Sequence, residues 1–293
     1  MGNTGSSKPK NKTGKSVVAQ KLANASKLGV LSLSEHKLKK IPDKVLAIEK
    51  LTTLDLSMNS LTNSDDVMQL IPVRLTKLKT LNLDSNSLYC GSLPDFSSSN
   101  LQTLQLSHNS LGLHLPVKKS SQSKPPSPGT PVPDLPRSIR TIHLSFNSLS
   151  AIPSQLVSSN LTSLRVIDLC DNNLSGVLPP AMSVLKGLVE LKLDRNSISG
   201  MDAGIFENSG WSKLKALSLE DNQIKSTGSP QSLPPELFTA TCLHDLNLKN
   251  NPLQKRELMD FEGFDSFLEK RGEVKKKDLD GGAMADLSLC GLD

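Results

Sequence analysis

The histidines and cysteines, which could act as bases, nucleophiles or metal ligands, are few and scattered. They are His36, His108, His114, His143 and His244, with Cys90, Cys170, Cys242 and Cys290. Cys170 could form a Cys–His pair with His108 or His143. Nucleophilic catalysis also needs an orienting group and a closed pocket. The sequence suggests neither, and no two cysteines have the CxxC spacing of a zinc site. We therefore expect no enzymatic activity, no metal and no cofactor.

The N-terminus carries a pattern for lipid modification. It reads MGNTGS, which matches M-G-x-x-x-[ST], the pattern for N-myristoylation of Gly2. A single acyl chain needs a second signal for stable attachment, and lysines near an anionic leaflet can supply it. The candidates for that signal are Lys8, Lys10, Lys12 and Lys15. The sequence thus predicts a lipid anchor at a membrane surface, with a plain solubilising tail as the alternative.

Residues 117–136 form a segment rich in Ser, Pro and Lys that is too polar to bury apolar area. We interpret it as a flexible insertion. Ser127 and Thr130 each precede a proline and resemble proline-directed phosphorylation sites. An unmodified insertion is the alternative, because such dipeptides are common in Pro-rich loops.

The composition is typical of a repeat array. Leucine supplies 51 of the 293 residues, whereas only 3% of residues are aromatic. The N-terminus has no apolar segment typical of a signal peptide, and no apolar run is long enough to cross a membrane. The four distant cysteines favour a reducing compartment. We therefore expect an intracellular, cytoplasmic protein that is associated with a membrane through its lipid anchor.

The frame L-x-x-L-x-L-x-x-N-x-L, with Ile allowed for Leu, recurs nine times. Its first positions are residues 28, 51, 78, 101, 139, 164, 188, 214 and 243. Every defining position is filled except one, where His36 replaces the asparagine. The alternation L-x-L predicts a short strand with one buried face, and the asparagine amide can pair with backbone groups in the turn that follows.

Each repeat can bury its leucines only against its neighbours, which predicts a curved solenoid. The fold class is an α/β leucine-rich repeat solenoid, with short parallel strands on the concave face and turns or short helices on the convex face. We divide the chain into a disordered Lys-rich tail (1–27), nine repeats (28–253), a capping helix (254–274) and a C-terminal tail (275–293). Leu258, Phe261, Phe264 and Leu268 have the helical spacing that a cap requires.

The repeats identify the chain as a leucine-rich repeat protein over residues 28–253. Its start and the segment around Glu262, Gly263 and Phe264 resemble the small intracellular leucine-rich repeat-containing protein 57 group. That resemblance implies an interaction scaffold without catalysis and implies myristoylation of Gly2. The longer Lys-rich tail, the Pro/Ser insertion and the residues after Lys277 depart from that group.

Positions three, five, seven and eight of the frame are expected to line the concave face, the usual binding surface of solenoids. The candidate partner-binding residues are His108, His143, Phe146, Asp168, Asp171, Glu190, Lys192, Asp194, Arg195, Glu220 and Asp221. Phe146 is a candidate central anchor, because interface energy concentrates on a few aromatic or Arg side chains. Repeats six to eight supply six of these residues as acids and only two as bases. This acidic stretch favours a basic protein partner and disfavours nucleic acid. A solvated face without a role is the alternative.

The predicted function is a non-enzymatic scaffold that binds a protein partner at the cytoplasmic face of a membrane. No small-molecule substrate and no nucleic acid are expected. The alternative is a soluble cytoplasmic regulator of an enzyme, such as a phosphatase or a small GTPase, that does not contact lipid.

Overall fold

The computed structural model describes residues 15–62, 66–89, 93–113, 132–226, 232–280 and 290–292. Eleven short strands occur in this part of the chain. They are β1 Val30–Ser32, β2 Thr53–Asp55, β3 Thr80–Asn82, β4 Thr103–Gln105, β5 Thr141–His143, β6 Val166–Asp168, β7 Ser175–Leu178, β8 Glu190–Lys192, β9 Ser197–Met201, β10 Ala216–Ser218 and β11 Asp245–Asn247. All except β7 and β9 form one parallel sheet in chain order, and β7 pairs with β9 in a second sheet.

The main sheet repeats one register from strand to strand. The fourth frame position of each repeat faces the fourth position of the next, as Leu54 faces Leu81 and Ile142 faces Ile167. These side chains are at most 2% exposed, so they form a continuous column in the core. The predicted solenoid of parallel strands is therefore confirmed.

The asparagines of the frame form a hydrogen-bond ladder along the solenoid. Asn172 shows the pattern. Its amide nitrogen donates to the carbonyls of Leu144, Leu169 and Cys170 at 2.9–3.1 Å, and its oxygen accepts from the backbone N–H of Leu149 at 3.0 Å. Each ladder residue thus pairs with its own turn, as the sequence predicted, and in addition bonds to the preceding repeat.

The first repeat departs from this ladder because His36 stands where the other repeats have asparagine. Its Nδ1 lies 2.6 Å from the carbonyl oxygen of Ser34. Its Nε2 is buried and has no hydrogen-bond partner among the described residues. An imidazole therefore replaces only part of the pairing that an amide makes in the other turns.

Short helices and turns between the strands form the convex side, as predicted, and further helices lie at the two ends of the solenoid. In chain order the α-helices are α1 Lys15–Leu28, α2 Asp66–Arg74, α3 Pro235–Thr239, α4 Lys255–Met259 and α5 Phe264–Asp280, and the 3₁₀ helices are Asp43–Ala47, Ser154–Val157, Pro180–Val184 and Ala203–Ser209. Residues such as Val45, Leu156 and Met182 point inwards from these segments and are at most 1% exposed.

The prediction of a disordered tail over residues 1–27 is wrong from residue 15 onwards. Helix α1 begins there and lies against β1, where Leu22 and Ala25 are 9% and 1% exposed. The three-residue spacing of these two apolar side chains places them on one face, where they cover the open side of the first strand. Leu28, the first frame position of repeat one, ends this helix and is 74% exposed.

The C-terminal cap also differs from the single helix predicted over residues 254–274. It consists of α4 and α5, which are separated by a turn at Gly263 with a φ of 80°. Helix α5 continues to Asp280, beyond the predicted boundary. Part of the predicted C-terminal tail packs on the last repeat, because the carbonyl of Cys290 accepts a hydrogen bond from the N–H of Leu248 at 2.8 Å.

The predicted flexible insertion extends too far towards the C-terminus. Val132 is fully buried and Leu135 is 8% exposed. The carbonyl of Asp134 accepts a hydrogen bond of 3.0 Å from the N–H of Phe96. Residues 132–136 therefore belong to the packed repeat, and the rest of the proposed insertion lies outside the described residues.

Candidate binding surface on the concave face

The eighth frame position has the same unusual backbone in every repeat. Its residues all have a φ between 52° and 62°, in the left-handed region. They form a row, here called the outer ridge, made of Glu35, Met58, Ser85, His108, Phe146, Asp171, Arg195, Asp221 and Asn250. Because the backbone is the same at each step, the side chains of neighbouring repeats leave the chain in the same direction and can contact each other.

Three neighbouring pairs of the outer ridge make specific contacts. The rings of His108 and Phe146 stack with their centroids 4.1 Å apart and an interplanar angle of 11°. Arg195 donates two hydrogen bonds to the Asp171 carboxylate, at 2.7 and 2.6 Å. The Asn250 amide donates to Asp221 at 2.9 Å. The ridge is therefore ordered by contacts between repeats.

The middle of the concave face combines this aromatic stack with carboxylates. We call His108, His143, Phe146, Asp84 and Asp168 the central patch. The Phe146 side chain is 44% exposed although it stacks on the neighbouring repeat. The Nδ1 atom of His143 lies 3.6 Å from Asp168 Oδ2. The structure thus brings together Phe146, both histidines and Asp168, which the sequence analysis had selected, and adds Asp84, which it had not.

The two carboxylates of the central patch have opposite shifts in pKa. Burial raises the pKa of Asp84 above 3.8, although the N–H of Ser107 and the nearby histidines oppose this change. Burial acts in the same direction on Asp168, but hydrogen bonds from His143 and from the N–H of Cys170 outweigh it and lower its pKa. Asp168 is thereby held as an anion by donors from its own repeat and its neighbour.

The acidic stretch of the face is less open than the sequence suggested, because three of its acids are paired. Besides the Arg195–Asp171 pair, Lys192 contacts Glu190 at 2.9 Å and Lys249 contacts Glu220 at 3.3 Å. Asp194 instead accepts hydrogen bonds from the hydroxyl of Ser218 at 2.5 Å and the N–H of Glu220 at 2.8 Å. Part of the apparent acidity therefore serves contacts between repeats.

In four of the nine repeats the seventh frame position faces inwards more than expected. Ser57, Ser107, Ser145 and Cys170 occupy it and are 7–9% exposed. The Cys170 thiol donates to Asp194 Oδ2 at 3.6 Å, and burial, together with the charges of Asp168 and Asp194, raises its pKa strongly. A raised pKa keeps a thiol protonated and poorly nucleophilic. Within the described ranges, no group of three or more His, Cys, Asp or Glu is arranged to hold a metal ion.

The C-terminal end of the concave face contains a groove that the sequence analysis missed. We call it the C-terminal groove; its volume is about 720 Å³. Its floor is formed by β8, β10 and β11, and one wall by the second half of α5. Gly291 closes one side so tightly that a Cβ atom there would lie 2.8 Å from the Lys249 Cβ. The only sequence signal for this wall was the continuation of charged, helix-compatible residues beyond 274.

Several candidate residues lie outside the described part of the chain. These are Gly2, Lys8, Lys10, Lys12, Ser127 and Thr130. Lys15 begins α1, but its side chain is also outside that part. The lipidation, membrane-binding and phosphorylation predictions therefore stay predictions.

In-register parallel strands, an asparagine ladder and a polar concave face define the leucine-rich repeat class of proteins, which act in protein–protein interaction. Two family models agree. The model described as "Leucine rich repeat" matches residues 137–198, and a second, "Leucine Rich Repeat", matches residues 100–118. The chain therefore has the leucine-rich repeat fold.

Curated relatives match most of the chain at low identity. Osteomodulin of Rattus norvegicus is 29% identical and the match covers 75% of this chain and 45% of that protein. Keratocan of Gallus gallus is 26% identical, with 62% of this chain and 52% of that protein covered. The chain thus spans about half the length of these relatives. The narrower resemblance to the leucine-rich repeat-containing protein 57 group is not supported by them.

Solved structures share the fold. The plant peptide hormone receptor RGFR1 in complex with RGF2 is 24% identical with a TM-score of 0.52, over 78% of this chain and 34% of the receptor. A TDR receptor is 26% identical with a TM-score of 0.54, over 77% of this chain and 35% of that receptor. Both likenesses are of the repeat architecture.

The predicted cytoplasmic location is wrong. Relatives such as osteomodulin and keratocan are secreted proteins of the extracellular matrix, and these point to an extracellular location. The sequence-based prediction depended on scattered cysteines and on the N-terminal composition, neither of which reports location directly. Among the described helices, none has the length and hydropathy to span a bilayer.

Proposed function

We propose that this protein is a non-enzymatic binding module that takes a basic protein partner on its concave face, centred on the central patch. The observation that carries the proposal is the exposed stack of Phe146 on His108 beside the carboxylates of Asp84 and Asp168. An aromatic anchor surrounded by acids suits a segment that carries both apolar and cationic side chains.

The stack supports this proposal because it restricts an exposed side chain before a partner arrives. Immobilising a flexible side chain at an interface costs about 0.5–1.5 kcal/mol. The ring of Phe146 is already held against His108, at a centroid distance of 4.1 Å. Much of that ordering is therefore complete in the free protein, and the exposed part of the ring is available for contact.

The charges around the stack favour a basic partner. Among the ion pairs of the described residues, none joins Asp84, Asp168 or Asp194 to a lysine or arginine. A complementary cation would steer the encounter of the two proteins and favour the correct partner over an acidic one. Because the face is open to solvent, we expect this contribution to weaken with salt.

The proposal does not extend to catalysis or to a lipid anchor. The buried, protonated thiol of Cys170 is a poor nucleophile, and the open face does not enclose a substrate. A myristoyl group on Gly2 was predicted for the cytoplasmic face of a membrane, and the relatives contradict that location.

The proposal can be tested by affinity capture of secreted proteins on immobilised full-length chain. Phe146→Ala and Asp168→Asn should each lower the capture of specific partners at least fivefold, and 0.5 M salt should lower it for the wild type. Glu49→Gln and Glu262→Gln remove exposed charges outside the concave frame positions, and they should leave capture unchanged. Equal capture by all variants would contradict binding at the central patch.

A further inference from the structure

A second charged surface lies on the edge of the solenoid where the strands begin. The residues immediately before and after the first frame position number eighteen over the nine repeats, and they include eight lysines or arginines but no Asp or Glu. Six of these cations belong to repeats three to eight, and we call them the basic flank: Lys77, Lys79, Arg140, Arg165, Lys213 and Lys215. The outer ridge, at the other end of the strands, instead carries three acids and one arginine.

The backbone aligns the second frame position into a row. From repeat two onwards its N–H donates to the carbonyl of the same position in the preceding repeat. Gln102 donates to Lys79, Arg140 to Gln102, and Arg165 to Arg140, each at 2.8 Å. Five strand spacings, about 24 Å, separate Lys79 from Lys215. Side chains at this position therefore leave the edge of the sheet side by side.

The positive charges of the basic flank are not neutralised within the described part of the chain. All its members except Arg165 are exposed, and no ion pair of the described residues includes any of the six. Among the acids that border this edge, Glu190 pairs with Lys192 on the concave face, and Asp245 forms no ion pair with a described residue. These cations are therefore available to an external anion.

Arg165 is partly buried, and its position is fixed by the backbone. Its Nη1 donates to the carbonyls of Thr162, Leu164 and Gly187 at 3.0–3.2 Å. Gly187 leaves the room for this group, because a Cβ atom there would clash with Nη1. Carbonyl oxygens carry no net charge, so they orient the guanidinium group but do not cancel its positive charge.

The shape of the basic flank favours a linear anion with charges along its whole length. The cations follow a row and do not converge on a pocket. A protein partner would need an anchor, since interface energy concentrates on a few buried side chains, and Trp and Tyr are prominent among them. The eighteen residues beside the first frame position include no Phe, Tyr or Trp. Single-stranded nucleic acid is disfavoured for the same reason, because its bases stack on aromatic side chains.

Sulfated polysaccharides have the required chemistry. They are linear chains whose sulfate groups recur along the sugar backbone, so several sulfates can meet successive cations of the row. A chain of high charge density also releases condensed counterions when it binds lysines and arginines, which favours association and makes it dependent on salt. The extracellular location to which the relatives point is consistent with such a ligand.

We propose that the basic flank binds a linear sulfated polysaccharide, whose sulfate groups lie along the row from Lys79 to Lys215. This site goes beyond the function proposed for the central patch. It lies on another edge of the sheet, uses other residues and takes a ligand of opposite charge.

The test is the binding of a fluorescein-labelled heparin dodecasaccharide to the full chain, measured by fluorescence anisotropy at several salt concentrations. The test variant combines Lys77→Gln, Lys79→Gln, Lys213→Gln and Lys215→Gln. It should weaken binding at least tenfold, and its affinity should depend less steeply on salt, because fewer counterions are released. Dodecasaccharide from which the sulfate groups have been removed should bind the wild type at least tenfold more weakly.

The matched control removes the same number of charges from the N-terminal segment. It combines Lys8→Gln, Lys10→Gln, Lys12→Gln and Lys15→Gln. This variant has the same net charge as the test variant and should change the affinity less than threefold. The comparison therefore separates the position of the charges from their number.

Other outcomes would overturn the proposal. These are no binding by the wild type, equal loss in the control, or binding of dodecathymidylate or dodecaglutamate as tight as that of the dodecasaccharide. Circular dichroism of each variant must match the wild type. If the fourfold variant is unstable, Lys79→Gln with Arg140→Gln provides a second route and should weaken binding at least threefold. Phe146→Ala should retain dodecasaccharide binding, so failure of this site and failure of the central patch can be told apart.

Discussion

Phe146 stacks on His108 although 37 residues separate them in the chain, including the Pro/Ser-rich segment. Both residues occupy the eighth position of their repeats, with φ values of 53° and 54°. Because neighbouring repeats present this position in the same backbone conformation, the two rings lie nearly parallel. The repeat geometry therefore places the two side chains next to each other, although a long segment of chain lies between them.

The asparagine ladder should be the most sensitive polar feature of the fold. Asn172→Ala removes three donated hydrogen bonds and one accepted bond in a buried turn. We expect a loss of about 2–4 kcal/mol in the free energy of unfolding, since the backbone groups left behind are shielded from water. Urea unfolding measures this loss. Asn173→Ala is the matched control, because the Asn173 side chain is exposed. Its removal should lower the free energy of unfolding by less than about 0.5 kcal/mol.

Asp84 and Asp168 should contribute to stability with opposite dependence on pH. A carboxyl whose pKa is raised by folding stabilises the protein below its unfolded pKa, and this contribution is lost as the pH rises through the folded value. Asp84→Asn should therefore stabilise the protein at neutral pH, and this advantage should shrink as the pH falls through the raised folded pKa and be absent below pH 3.8.

Folding lowers the pKa of Asp168, so its contribution to stability is present above pH 3.8. That contribution is lost as the pH falls through the pKa of the folded state. Asp168→Asn should consequently destabilise the protein at neutral pH and have less effect in acid. Thermal melting of both variants from pH 3 to pH 7 measures these effects. Parallel profiles for the two variants would contradict the assigned directions.

The aromatic cluster of the cap should carry much of the stability of the last repeats. Phe267 is fully buried and stacks on Phe264 at a centroid distance of 5.3 Å. Phe267→Ala should cost about 3–5 kcal/mol, because it leaves a cavity in this cluster. Hydrogen exchange should show a loss of amide protection first in β10 and β11. Met259→Ala changes an exposed residue of the same cap and should leave exchange there unchanged.

The ion pair of the outer ridge should affect binding more than stability. The Arg195 side chain is half exposed, and exposed pairs contribute less than about 1 kcal/mol. Arg195→Gln should therefore change unfolding little, but it frees the Asp171 carboxylate and makes the face more acidic. Labelled hexalysine should bind this variant more tightly than the wild type at low salt. Unchanged or weaker binding would show that this carboxylate is not accessible to ligands.

Much of the architecture could be predicted from residue types at fixed spacing. The positions of the main-sheet strands, the buried column represented by Leu54 and the ladder role of Asn172 all follow from a frame that each repeat satisfies with its nearest neighbours. Even the irregular turn at His36 was visible as a departure from the frame. Helix α1 was missed because the region was predicted to be a disordered tail, and the C-terminal boundary of the insertion was misplaced. In both cases composition outweighed the apolar spacing, of Leu22 and Ala25 in the first and of Val132 and Leu135 in the second.

Sequence spacing alone was enough to establish the solenoid and to select Phe146 and Asp168 as concave residues, because local periodicity decides which side of a strand a residue occupies. Tertiary structure alone decided that Phe146 stacks on His108, that Asp171 is paired with Arg195, and that α5 forms a charged wall above the sheet. These relationships depend on how far each side chain reaches and on the direction in which a helix leaves the core. No repeat frame encodes those quantities, since they arise between elements that are distant along the chain.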